Sequence, residues 1–82
     1  MQKTKQAEHA TELGRRVRAI RESRGWSQEQ LGERVGLHRT YIGHIERGEV
    51  NPSLFNIVLV ASGLEVDPSE LVKGMTAGRR RR

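Results

Sequence analysis

Arg39, Thr40, His44 and Arg47 are spaced so that one helix would carry them on the same side, with Tyr41 at the border of that side. Together they offer a guanidinium at each end, hydroxyls and an imidazole, all of them hydrogen-bond donors. An arginine at the start of a helix lying in a DNA groove can donate two parallel hydrogen bonds to guanine, worth about 1–3 kcal/mol of discrimination. Thr40 and Tyr41 would add hydroxyls for a base or a phosphate, and the Thr40 methyl can touch a thymine methyl. Plainer alternatives stand beside these roles. Arg39 would otherwise be a solvated helix start, Tyr41 would pack against the core, and His44 would be exposed and idle.

Side chains of this kind act only if the helix bearing them is held outward by another element. Residues 26–48, WSQEQLGERVGLHRTYIGHIERG, encode two short helices joined by a glycine turn. Ser27 can cap the first helix, with Gln30 three residues on for a reciprocal capping box and Trp26 placed to staple onto Leu31. Leu31 and Val35 fall one turn apart on a face that can be buried, while Gln28, Glu29, Glu33 and Arg34 point elsewhere. Gly36 stands where a left-handed residue ends a helix at little steric cost. Gly32 has no side chain, so the next helix can cross close over it. In the second helix, Arg39 to Arg47, Ile42 and Ile45 turn inward and Gly48 terminates. This is the anatomy of a helix-turn-helix, in which the N-terminal residues of the second helix, here His38, Arg39, Thr40 and Tyr41, meet base edges in the major groove.

From about Leu13 to Leu71 the chain resembles a helix-turn-helix domain of the phage repressor and Cro type, also called xenobiotic-response-element-like. Within it, HRTYIGHIERG followed by NPSL is similar to the controller proteins of restriction-modification systems. The resemblance implies an all-α, compact five-helix, lambda-repressor-like fold with the Arg39-Thr40-Tyr41 run at the DNA surface. It also implies that Gln28, at a helix N-terminus that already favours an anion, clamps a phosphate. Ser27 would assist, although capping explains it fully. Arg47 and Asn51, at and just beyond the end of the groove helix, would contact phosphates, which positions the protein without reading sequence. Arg21 and Glu46 are implied as a salt bridge between the first helix and the end of the recognition helix, with a structural role. Two positions depart from the family pattern. His38 stands where Asp, Ser or Thr would cap better, so either the helix start is weakly capped or His38 faces DNA. Gly32 replaces a more usual alanine at a cost of the order of 1 kcal/mol.

Composition adds bounds. Eighty-two residues with 34% in the hydrophobic set make one small domain with a compact core. The absence of cysteine removes disulfides and thiolate metal sites. No apolar run is long enough to span a bilayer and no leader is evident, which points to a soluble cytoplasmic protein. The formal charge of +5 is unevenly spread: residues 1–26 carry seven basic and three acidic groups, 27–48 three of each, 49–73 one against four, and 74–82 four arginines. Without its tail the body is nearly neutral, so the motif rather than bulk charge makes the case for DNA. No catalytic residue, metal, cofactor or small-molecule ligand is expected: Asp67 is better used as a cap, and His38 and His44 lack a carboxylate partner.

Along the rest of the chain, residues 1–8 read as a flexible N-terminus, 9–73 as the DNA-binding domain, and 74–82 as a flexible basic tail. Ala10, Leu13, Val17 and Ile20 predict a helix from about His9 to Arg24 that Gly25 ends. Ser53 caps a helix from about Leu54 to Ser62 that stops at Gly63, and Asp67, Pro68 and Glu70 start a last short one to about Val72. Leu54, Ile57, Val58, Ala61 and Leu64 suffice for the core, leaving Phe55 and Leu59 uncovered. They predict a two-fold homodimer interface, joined by Val66 and Leu71, against the alternative of a slightly greasy monomer. A dimer would set two recognition helices about 34–36 Å apart on a palindromic operator in double-stranded DNA. The expected function is a dimeric transcription regulator of the controller type. The alternatives are an antitoxin-type protein-binding module and a prophage repressor.

Overall fold

Gln2, rather than His9, begins the first helix of the computed structural model, which describes residues 2–78. Helix α1 spans Gln2–Ser23, so the expected flexible N-terminus over residues 1–8 is helical from its second residue. Gln, Lys, Ala and Glu are strong helix formers and need no apolar repeat to extend a helix already anchored further along. Lys5 and Glu8 reinforce the extension as a pair three residues apart, at 3.9 Å. Arg15 and Arg16 both donate to Glu12 one turn back, holding its carboxyl down at about 2.

Four more helices follow, α2 Gln28–Val35, α3 Arg39–Glu46, α4 Leu54–Leu64 and α5 Ser69–Val72, with no strand among the described residues. The fold is therefore the expected all-α five-helix arrangement. Both capping signals at the start of α2 are realised: the Ser27 hydroxyl accepts from the Gln30 N–H, and the Gln30 side chain accepts from the Ser27 N–H at 2.8 Å. Gly36, at φ 76°, ends α2 in the left-handed region, and the Leu37 N–H folds back onto the Gly32 carbonyl at 3.0 Å. The tight corner thus depends on glycine at 36. A Cβ at Gly32 would collide with the Leu37 carbonyl, so the turn itself, more than the next helix, lies against this bare position.

Leu13 and Val17 of α1, Leu31 and Val35 of α2, Ile42 and Ile45 of α3, Val60, Ala61 and Leu64 of α4 and Leu71 of α5 form one buried core. Three expectations for the second half of the chain are corrected here. Gly63 does not stop α4; it is buried inside it, and a Cβ there would collide with Val35 Cγ1. The helix ends two residues later, where Glu65 takes the left-handed conformation at φ 64°. Arg24 and Arg34 then satisfy the last carbonyls, donating to Leu64 O at 2.8 Å and Gly63 O at 3.0 Å.

The second correction concerns which apolar residues are covered. Leu71 is fully buried in the core and so presents no surface to a second copy, while Val66 and Leu59 are half-buried against the core. Leu54 and Val58, expected inside, are instead exposed beside Phe55, at 77%, 41% and 69% respectively. Third, the segment expected as a free tail begins packed. Met75 lies against the core and His9 Nε2 donates to the Thr76 carbonyl at 2.6 Å. The Arg79–Arg82 part of that tail lies outside the described residues.

Candidate nucleic-acid interface

Helix α3 buries Ile42 and Ile45 and thereby turns Arg39, Thr40 and Arg47 outward, all three exposed, with His44 half-buried on the same side. His38 proves to be both a cap and an exposed residue. Its Nδ1 accepts the Thr40 N–H at 3.0 Å, the position an Asp or Ser oxygen would take, so the departure from the usual residue type does not leave α3 uncapped.

The Arg39 side chain is 63% exposed, and its guanidinium lies 3.7 Å from Glu29 Oε1, itself exposed on α2. Exposed pairs of this kind contribute little, so the guanidinium can exchange this partner for a base edge at small cost. Thr40 beside it is exposed. Tyr41, by contrast, is half-buried against the core and its hydroxyl accepts from Asn56 Nδ2 at 3.2 Å. Its packing alternative is thus largely realised.

A buried ion pair fixes where α3 ends. Arg21 Nε and Nη2 donate to Glu46 Oε2 and Oε1 at 2.6 and 3.0 Å, and Arg21 Nη1 donates to the Trp26 carbonyl at 2.7 Å. The two side chains are 10% and 3% exposed, and the hydrogen bonds to Glu46 raise the pKa of Arg21 above the ordinary arginine value. Gln28 joins the network by donating to Glu46 Oε1 at 3.0 Å. Its amide therefore ties the start of α2 to the end of α3 in the free protein, rather than standing open for a phosphate. Ser27 is exposed with its oxygen engaged in the cap.

At the far end of the outer face, Arg47 lies over Gly43: its Nη1 is 3.0 Å from where a Cβ would stand, and Gln28 Oε1 is 3.5 Å from the same point. Arg47 Nε donates to Glu49 Oε2 at 3.0 Å and His44 Nδ1 to Glu49 Oε1 at 2.7 Å. These contacts, Arg47's first, lower the Glu49 carboxyl below the ordinary carboxylate range. Asn51 is exposed in the loop that follows. The outer face thus gathers Arg39, Thr40, His44, Arg47 and, at its edges, His38 and Gln28. Glu49 belongs to it and was not singled out from the sequence. A glycine at 48 with an acid immediately after was the available sign for Glu49, because such a turn folds the next residue back over the helix end.

The described residues contain no cluster of acids and histidines able to hold a metal, and no helix long and apolar enough to cross a membrane. The helix-turn-helix family HTH_3 matches residues 17–71. Control protein C.BamHI of Bacillus amyloliquefaciens is 47% identical over 67 residues, 80% of this chain and 83% of its own. Among solved structures, the restriction-modification controller C.AhdI of Aeromonas hydrophila superposes with a TM-score of 0.74 at 44% identity, over 76% of this chain and 94% of its own. The P22 c2 repressor, solved in complex with a synthetic operator, does so with a TM-score of 0.70 at 34% identity, again over 76% and 94%.

Proposed function

The chain belongs to the helix-turn-helix family HTH_3 of DNA-binding transcription regulators, and from that premise we propose that it acts as a homodimer on a palindromic operator, as a restriction-modification controller. The observation that carries this reading is the first turn of α3. Arg39 and Thr40 project from a helix whose opposite side is locked by Ile42 and Ile45 and whose far end is held by the Arg21–Glu46 pair. A rigid rod with exposed donors at its N-terminal end is what direct readout in the major groove needs. Arg39 and Thr40 read bases, while His44, Arg47, Asn51 and the start of α2 set the register on phosphates.

Leu54, Phe55 and Val58 support the dimer: three large apolar side chains stand exposed together on α4, and a second copy related by a two-fold axis would cover them. A cytoplasmic location goes with this role. Selection of bound duplexes from a random pool at fixed salt tests it. Two inverted half-sites about 10–10.5 base pairs apart centre to centre are expected. Enrichment of no palindrome would overturn the operator reading.

A further inference from the structure

His44 and Arg47 aim two donors at one point in space, and a carboxylate of the same chain already occupies it. The backbone makes this more than a chance meeting of surface charges. After α3 the Gly48 N–H donates to the Ile45 carbonyl at 3.0 Å and the Glu49 N–H to the His44 carbonyl at 2.9 Å, with Gly48 at φ 72°. This closed turn brings Glu49 back beside the helix end, so the placement of its carboxylate follows from the cap and not from a free side-chain rotation alone. Its two oxygens then take one hydrogen bond each, 2.7 Å from His44 Nδ1 and 3.0 Å from Arg47 Nε. Arg47 is also steered from beneath, because bare Gly43 lets the guanidinium lie down on α3 beside Gln28. Among the described residues, His44 of α3 and Arg47 just beyond it pair with Glu49, and Gln28 of α2 lies beside the Arg47 guanidinium.

An imidazole and a guanidinium converging on two oxygens of one anion form a phosphate site in outline. We propose that Glu49 is a built-in competitor for this site: in the free protein its carboxylate stands where a DNA backbone phosphate would be held by His44 and Arg47. The inference rests on the DNA-binding reading of α3. Its physical content is a charge balance. With Glu49 in place, the Arg47 cation is neutralised within the protein and contributes no released counterion when DNA docks; a phosphate reaching the same donors must displace a group of its own sign. All three side chains are about half exposed, so displacement is possible, but the site lends the complex less than an open arginine would. Glu49 therefore acts as a restraint on backbone affinity, keeping weight on the base contacts at the other end of α3.

Salt titration of binding to a mixed-sequence, non-operator duplex tests this directly. Wild type, Glu49→Gln, Arg47→Ala and the double variant are compared, each first checked for an unchanged melting profile. Glu49→Gln keeps the backbone cap and removes only the charge. It is expected to bind about 3- to 10-fold more tightly at low salt and to steepen the slope of log affinity against log salt by about 0.9, the value for one additional neutralised phosphate. In the Arg47→Ala background the same substitution is expected to change affinity by less than about twofold, since the arginine cation that Glu49 neutralises is gone and only His44 remains. A Glu49→Gln protein indistinguishable from wild type, or an equal gain in both backgrounds, overturns the competition and leaves the DNA-binding reading standing. Failure of wild type to bind any duplex overturns both.

Discussion

Removing Glu46 should damage the protein far more than removing both members of its ion pair. Glu46 is 3% exposed in its side chain and is the shared acceptor for two Arg21 donors and the Gln28 amide. In Glu46→Leu the Arg21 guanidinium, 10% exposed, keeps the Trp26 carbonyl but loses its buried, hydrogen-bonded counter-charge, and is left with the exposed Glu22 carboxylate at 3.9 Å. Such a loss costs about 3–5 kcal/mol. A domain of this length has roughly 4–12 kcal/mol of stability in total, so the single variant should be marginal and melt roughly 12–40 °C below wild type. Arg21→Met should be comparably damaged, with Glu46 left as the unpaired charge. In the double variant Arg21→Met with Glu46→Leu no buried charge remains. What is lost there is the partner of the Gln28 amide and of the Trp26 carbonyl, about 1–3 kcal/mol for unsatisfied polar groups, less if water reaches them. The double variant should therefore be more stable than either single one. Thermal and urea denaturation followed by far-UV circular dichroism give all four free energies, and the coupling between the two sites should be large and opposite in sign to the single losses. A double variant as unstable as the sum of the singles would refute the reasoning, since the coupling would then be zero and the two side chains would act independently of each other.

Arg39→Ala should leave the melting temperature unchanged, its only partner among the described residues being exposed Glu29 at 3.7 Å, yet relax discrimination at one base position per half-site by about 1–3 kcal/mol. Parallel selection with both proteins checks this, and an unchanged preference at every position would remove Arg39 from base readout. Phe55→Glu places a charge in the exposed Leu54-Phe55-Val58 patch and should shift sedimentation toward the monomer; a persisting dimer would move the interface elsewhere. Glu12 titrates near 2 in the folded chain against an ordinary 4.5, held down by Arg15 and Arg16, so its small stabilising effect is present above about pH 4.5 and lost as pH falls toward 2. Glu12→Gln should accordingly melt below wild type at pH 7 and converge with it near pH 2; a gap that widens on acidification would contradict that assignment.

The helix-turn-helix was legible because every signal that defines it is local. Ser27 and Gln30 lie within one turn, Gly36 needs only its own backbone angle, and Ile42 and Ile45 fix the phase of α3 by spacing alone. From that phase the outward direction of Arg39 and Thr40 follows without tertiary knowledge. Helix α4 was misread for the opposite reason. LFNIVLVASGL is apolar nearly all round, so periodicity gives it no inside, and only its partners decide that Val60, Ala61 and Leu64 are covered while Leu54, Phe55 and Val58 are not. Gly63 carried the same ambiguity in a single residue. Glycine ends helices and also lets helices approach, and the choice between these was made by Val35, twenty-eight positions earlier in the chain. Glu49 shows a further limit. Its position in sequence marks it as a loop residue, but the Gly48 turn folds it onto the same face as His44 and Arg47, and with that the net charge at the end of the recognition helix changes from cationic toward neutral. A list of the cations on a helix face therefore overstates its pull on phosphate whenever the closing turn returns an acid to it, and the affinity of this face for DNA has to be reasoned from the folded pairings and not from α3 alone.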